Sequence, residues 1–196
     1  PPLNAFADAA NYALDQFRRN PTAIKAVLGR VEIPSAAREG DAKAIISKFL
    51  LRAYRGNASR LPDYERVYHG LYAKHMATSE DSRASLLHVF EMILVSPEFL
   101  YRFEHSQAQS TPYPVNGLEL ATRLSYFLWA GPPDAELLKL GQDGSLLKEA
   151  VLKKQIARLL NSPKRIALSE NFGGQWMGFG ELMANREYLL NERWNR

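Results

Sequence analysis

Cysteine is absent from all 196 residues. That excludes from this chain a disulfide scaffold, a zinc ribbon, an iron–sulfur cluster, a thiol nucleophile and covalently attached c-type haem. Long hydrophobic runs are missing too. A membrane-crossing helix needs about 18 uninterrupted apolar residues, and the richest stretch, Leu86 to Val95, is broken by His88 and Glu91. No membrane span is expected. Charge of one sign is also scarce: 25 Lys and Arg face 21 Asp and Glu, and each half of the chain, cut after Glu98, carries +2 of the net +4. The densest basic spots are the pairs Arg18-Arg19, Lys153-Lys154 and Lys164-Arg165. Nucleic-acid binders of this size gather cations in a stripe with aromatics between them, so no nucleic acid is expected as a partner. No signal-peptide pattern is visible, and the opening Pro1-Pro2 in place of Met reads as a piece of something longer.

What is present is ordinary globular material. Hydrophobic residues make up 46% and aromatics 11%, enough to exclude disorder as the general state. The periodicity is helical almost throughout. Phe6, Ala9, Ala10, Ala13, Leu14 and Phe17 recur at three-to-four-residue spacing and predict a helix over 5–19. Pro21 and Gly29 bracket a short one, and 31–40 reads as a connection. Asp41 is the expected cap of a helix through Ile45, Ile46, Phe49, Leu50 and Tyr54, which Gly56-Asn57 ends. Tyr64, Val67, Tyr68, Leu71 and Tyr72 form the expected apolar stripe of a helix over 59–77. The segment 81–95 is apolar around most of its circumference and belongs at the centre of a core.

Ser96-Pro97-Glu98 and Ser162-Pro163-Lys164 each place a serine at an N-cap and proline at the first helical position, where its missing N–H has no partner to lose. Asn116-Gly-Leu-Glu119 has the form of a capping box. It opens a helix through Leu120, Leu124, Tyr126, Phe127, Leu128 and Trp129, stopped by Gly131-Pro132-Pro133. Short helical stretches follow over 134–140 and 163–172, and 146–160 is amphipathic with Lys148, Lys153, Lys154 and Arg158 outward. No alternating pattern of strand length appears. The chain reads as all-α: a compact array of two helical subdomains, 1–105 and 116–196, joined by the polar, proline-containing linker 106–115 and packed as one unit.

Catalytic signatures are missing: no G-x-S-x-G elbow, P-loop, H-E-x-x-H or dinucleotide fingerprint occurs. His69 and His75, six apart on one helix, point to different faces, and no metal site is expected. Glu98, Glu104, Glu119, Asp134 and Glu170 stand near helix ends, where an acid complements the helix dipole or could join an acid/base pair in space. The more informative cluster mixes polar residues with aromatics. Arg123, Tyr126 and Trp129 share one helical face, and Asn171, Gln175 and Trp176 lie on a later segment, preceded by Gly173-Gly174, which permits close backbone approach. Together with Asp134 these are the candidate interaction residues, because Arg, Tyr and Trp combine large buried area with a polar handle. The plainer account has Arg123 pairing with a core carboxylate such as Asp134 while the aromatics fill the core.

Several segments resemble a known family. Glu119-Leu-Ala-Thr-Arg-Leu-Ser-Tyr-Phe-Leu-Trp129, Pro133-Asp134, Glu136-Leu137-Leu138 and Glu170-Asn-Phe-Gly-Gly-Gln-Trp176 resemble a helical family of unknown function, abundant in planctomycetes and related bacteria. There it occurs in large exported proteins that often carry c-type haem domains. Phe49-Leu-Leu-Arg-Ala-Tyr-Arg55 and Ile93-Leu-Val-Ser-Pro-Glu-Phe-Leu-Tyr-Arg102 look like the helical module that precedes it. The resemblance spans roughly 41 to 179; Gly56-Asn57 departs from it, standing where the family has a basic residue and proline. It implies a periplasmic or cell-envelope setting, neighbouring domains of the parent protein as partners, a haem domain among them, and no cofactor in this segment. No catalytic residue comes with it, an enzyme is not favoured, and the leading reading is a structural and interaction module. The rival reading is a redox or polysaccharide-acting enzyme whose carboxylates Glu119, Asp134 or Glu170 converge on a cleft.

Overall fold

A computed structural model of the chain describes residues 3–57, 60–102, 104 and 112–178. Helices account for nearly all regular structure, and no strand occurs among the described residues. The fold is all-α. The chain divides into two compact units, Pro1–Ser106 and Gln107–Arg196; residues 106–111 of the expected linker lie outside the described residues.

Unit 1 holds α1 (Leu3–Arg18), α2 (Pro21–Leu28), α3 (Glu39–Ala53), α4 (Leu61–Ser79), α5 (Ser82–Leu94) and the single turn α6 (Pro97–Leu100). As its composition requires, α5 runs through the core: Leu86, Val89, Phe90 and Ile93 are fully buried. The Phe90 ring stacks on Phe49 of α3 at 4.0 Å between centroids, and Phe17 of α1 meets Phe49 edge-on at 6.2 Å. Helix α4 contributes the buried Tyr68 and Tyr72, but Val67, at the edge of its stripe, is 64% exposed.

The ends of these helices show where local rules hold. Asp81 accepts from the Arg83 and Ala84 N–H groups and caps α5. Asp41 does not cap α3, which starts two residues earlier at Glu39; it sits in the first turn, near Arg38. The exit of α3 is a Schellman motif, with the Gly56 N–H donating to Leu51 O and the Arg55 N–H to Arg52 O. Gly56 takes φ +79° as expected, but the residue before it, Arg55, is also left-handed at +57°.

Unit 2 holds α7 (Gly117–Trp129), α8 (Ala135–Gln142), α9 (Glu149–Leu160), a wide π-type turn over Leu168–Gly173 and a last turn, α10 (Gly174–Trp176). The capping box at Asn116 and Glu119 is present in both directions. Ala121, Leu128, Leu137, Leu146 and Leu159 form the core. The backbones of α7 and α8 touch at Gly117 and Gly141: a Cβ on Gly141 would stand 2.8 Å from Gly117 O.

Candidate functional site

In unit 1 the two motifs that carry the family resemblance come together. Ser96 stands at the N-cap of α6 but makes no cap hydrogen bond. Its hydroxyl instead donates back to Ile93 O at 2.7 Å. The Tyr54 hydroxyl lies 2.9 Å from Ser96 Oγ and 3.0 Å from the Tyr68 hydroxyl. Each hydroxyl has one proton, so the order is fixed: Tyr68 donates to Tyr54, Tyr54 to Ser96, and Ser96 to the carbonyl. Burial, reinforced by Tyr68 and Glu98, pushes the Tyr54 phenol well above its ordinary value against a smaller opposing effect of Ser96. Next to it the Arg55 guanidinium donates to Phe99 O at 2.7 Å and Glu98 O at 3.0 Å, closing the C-terminal carbonyls of α6. Tyr64 donates to Glu98 at 3.3 Å. This is a clamp between the end of α3 and the α5–α6 bend, and its acid is held by a phenol.

In unit 2 the predicted residues separate into two groups. Trp129 turns toward α9, where its indole N–H donates to Leu159 O at 3.0 Å, with the Arg158 guanidinium and the Lys164 ammonium over its ring at 5.8 and 4.8 Å. Asp134 caps α8 through the Leu137 N–H and takes Arg158 in a two-pronged ion pair, 2.7 and 3.2 Å. Its partner is therefore Arg158 and not Arg123, and Arg158 is turned inward, half-buried, against the expectation that it points to solvent. Arg158 also reaches Gln155 Oε1 at 2.7 Å, while buried Gln155 donates to Glu136 at 2.7 Å. The network ties α9 to the loop entering α8.

The second group faces solvent. Asn171, Gln175 and Trp176 lie exposed on the run from the π-type turn into α10, while Arg123 is exposed and Tyr126 half-buried on α7. Two residues not among the candidates, Phe127 and Phe172, complete the aromatic face. Phe127 meets Phe172 edge-on at 5.7 Å, and Phe172 lies 6.1 Å from Trp176 with the rings 16° from parallel. They are 55%, 52% and 75% exposed, with Met177 exposed beside them in sequence. Phe127, one residue from buried Leu128, could have been placed outward by helical phase alone. Phe172 could not, because a π-type turn shifts that phase and carries no composition signal. Gly174 is buried, whereas a Cβ on Gly173 would meet nothing within 4 Å.

Glu119 is held in its capping box, Asp134 in a cap and an ion pair, and Glu98 by Tyr64, while Glu170 is exposed. Burial pushes the Asp134 carboxyl up, but the Arg158 and Leu137 hydrogen bonds and the charges of Arg158 and Lys164 outweigh it and leave it below its ordinary value. A group depressed in the folded state stabilises above its unfolded pKa and loses that contribution as pH falls through the folded one. Asp134→Asn is accordingly expected to lower stability by about 0.5–1 kcal/mol at neutral pH and to flatten the stability loss below about pH 4; denaturant unfolding at pH 7 and pH 3 checks both. Among the described residues no group of three or more His, Cys, Asp or Glu could hold a metal ion, and no helix is long and apolar enough to cross a membrane.

The molecule is thus a tandem of two helical units, the second bearing an exposed aromatic face. Residues 41–104, within the first unit, match the family model described as PSD5, protein of unknown function (DUF1595). Residues 115–190, within the second, match the model described as PSD4, protein of unknown function (DUF1592), and so carry the likeness past Phe179. No curated protein and no solved structure matches the chain.

Proposed function

We propose that the chain is a structural and interaction module of a larger bacterial cell-envelope protein, and that unit 2 docks a neighbouring domain of the same polypeptide through Phe127, Phe172 and Trp176. The observation that carries this reading is the exposed aromatic face. Clustered, solvent-facing aromatics cost free energy in water and are the residue types that dominate binding hot spots. The tandem of two family matches on one chain supports a multidomain setting, and the resemblance stated above supplies the periplasmic location and a c-type haem domain as the neighbour. The haem belongs to that neighbour in this reading. The engagement of Glu98, Glu119 and Asp134 in caps and contacts is the ground for preferring docking to acid/base catalysis on a polysaccharide.

In the full-length protein, Trp176→Ala is expected to weaken docking by about 2 kcal/mol, roughly thirtyfold in the docking equilibrium. Limited proteolysis at the junction between domains should accelerate accordingly, while Lys153→Ala, on the polar face of α9, leaves it unchanged. Equal protease resistance in wild type and Trp176→Ala would count against the proposal.

A further inference from the structure

Between α1 and α5 of unit 1 lies an open cavity of about 360 Å³, at the small end of the range for ligand pockets. Each helix presents one face to it. Asn11, Asp15 and Arg18 stand at i, i+4 and i+7 on α1, and Ala84, His88 and Glu91 at the same spacing on α5. Leu14 and Leu87 supply its apolar lining.

The two carboxylates of this groove differ in kind. Asp15 is fully answered: Arg18 Nε donates to it at 2.8 Å and Arg19 pairs with its other oxygen at 2.9 Å. Both pairs hold its carboxyl below the ordinary value, and they occupy the arginines. Glu91 is not answered in the same way. Its Oε1 accepts from the Asn11 amide at 2.8 Å, but the nearest basic nitrogen to Oε2 is His88 Nδ1 at 4.0 Å, beyond hydrogen-bonding reach. The His88 ring is engaged on its face, stacked with His75 of α4 at 4.6 Å. Among the described residues no lysine or arginine pairs with Glu91, although its side chain is only 21% exposed. Its second oxygen is left able to accept from a cation.

We propose that this groove binds a small organic cation, an ammonium group on an apolar body, with the ammonium N–H groups donating to Glu91 Oε2 and the body against Leu14, Leu87 and Ala84. The ligand class follows from the inventory. A bare inorganic cation would leave the apolar lining unused. An anion would face two carboxylates and an Arg18 already turned to Asp15. This site is independent of the docking face on unit 2.

The test is thermal unfolding of the chain in cyclohexylammonium chloride, against cyclohexanol, sodium cyclohexanecarboxylate and sodium chloride at equal concentration. The expected result is a saturable rise in the unfolding temperature of unit 1 with the amine alone. Glu91→Gln keeps an amide oxygen for Asn11 and is expected to weaken the amine about tenfold or more. Ala84→Met fills the groove and is expected to abolish the response in a folded protein, which separates loss of the site from loss of the fold. A response equal for amine and alcohol, no saturable response to the amine, or full amine affinity in Glu91→Gln overturns the proposal.

Discussion

Gly117→Ala is expected to destabilise unit 2 by about 3 kcal/mol, the upper part of the range for overpacking a tight contact. The added Cβ would overlap the Gly141 carbonyl and come within 3.2 Å of Gly141 Cα. All of these are backbone atoms, so no rotamer change relieves the overlap and the helices must part. Gly141→Ala meets Gly117 O and, at 3.2 Å, Leu118 Cα from the other side. There the clash is offset by about 1 kcal/mol, the usual gain when alanine replaces glycine inside a helix, and the net loss should be smaller. Gly70 is the control for sign: it lies mid-helix in α4 with nothing within 4 Å of a built Cβ, so Gly70→Ala should stabilise unit 1 by about 1 kcal/mol. Unfolding by heat or urea, followed for each substitution, reads all three. A Gly117→Ala protein as stable as wild type would show that α7 and α8 do not approach at these two glycines.

In unit 1 the largest effect belongs to Phe90→Ala. The ring is fully buried and stacked on Phe49, with Phe17 behind it. Removing it takes away the transfer free energy of a large side chain and leaves a cavity that α1, α3 and α5 cannot all close, a loss of about 3–5 kcal/mol. A small helical unit is commonly stable by about 5–15 kcal/mol, so this one change is expected to leave unit 1 marginal. Val67→Ala, on the exposed side of α4, should change stability by under about 0.5 kcal/mol. The comparison of the two by urea unfolding tests whether the core of unit 1 is centred on α5.

The helical content was legible because it rests on short-range patterns. Asn116 to Glu119 spells out a capping box within four residues, Asp81 precedes an apolar run, and Leu86 to Ile93 repeat on a helical period; each signal is read where it acts. Failures came where a side chain chose between a local and a distant partner. Ser96 occupies a cap position but gives its proton to Ile93 O and accepts from Tyr54, forty-two residues away. Arg158 sits on a basic-looking helix face but bridges twenty-four residues back to Asp134. Arg55 takes a left-handed conformation that favours glycine, and its guanidinium then closes the carbonyls of α6. For the candidate site the aromatic and amide residues were legible as types, and Trp176, Asn171 and Gln175 do stand exposed. Their grouping was not legible: Trp129 left for α9, and Phe127 and Phe172 took its place. The pairing of Asn11 with Glu91 across eighty residues has no local signature at all.

The π-type turn over Leu168–Gly173 sets the angular phase of everything after it. An ordinary helix advances about 100° per residue, and a π-type turn accommodates one extra residue within the same circuit. Phe172 and Trp176 stand four apart across the end of that turn. Regularising that turn with every residue kept would swing both rings by about 100° about the helix axis, whereas deleting one residue from 168–171 as the turn regularises would leave them in phase. The aromatic face is in that sense a product of backbone winding as much as of side-chain identity: every side chain could be kept and the face still be lost.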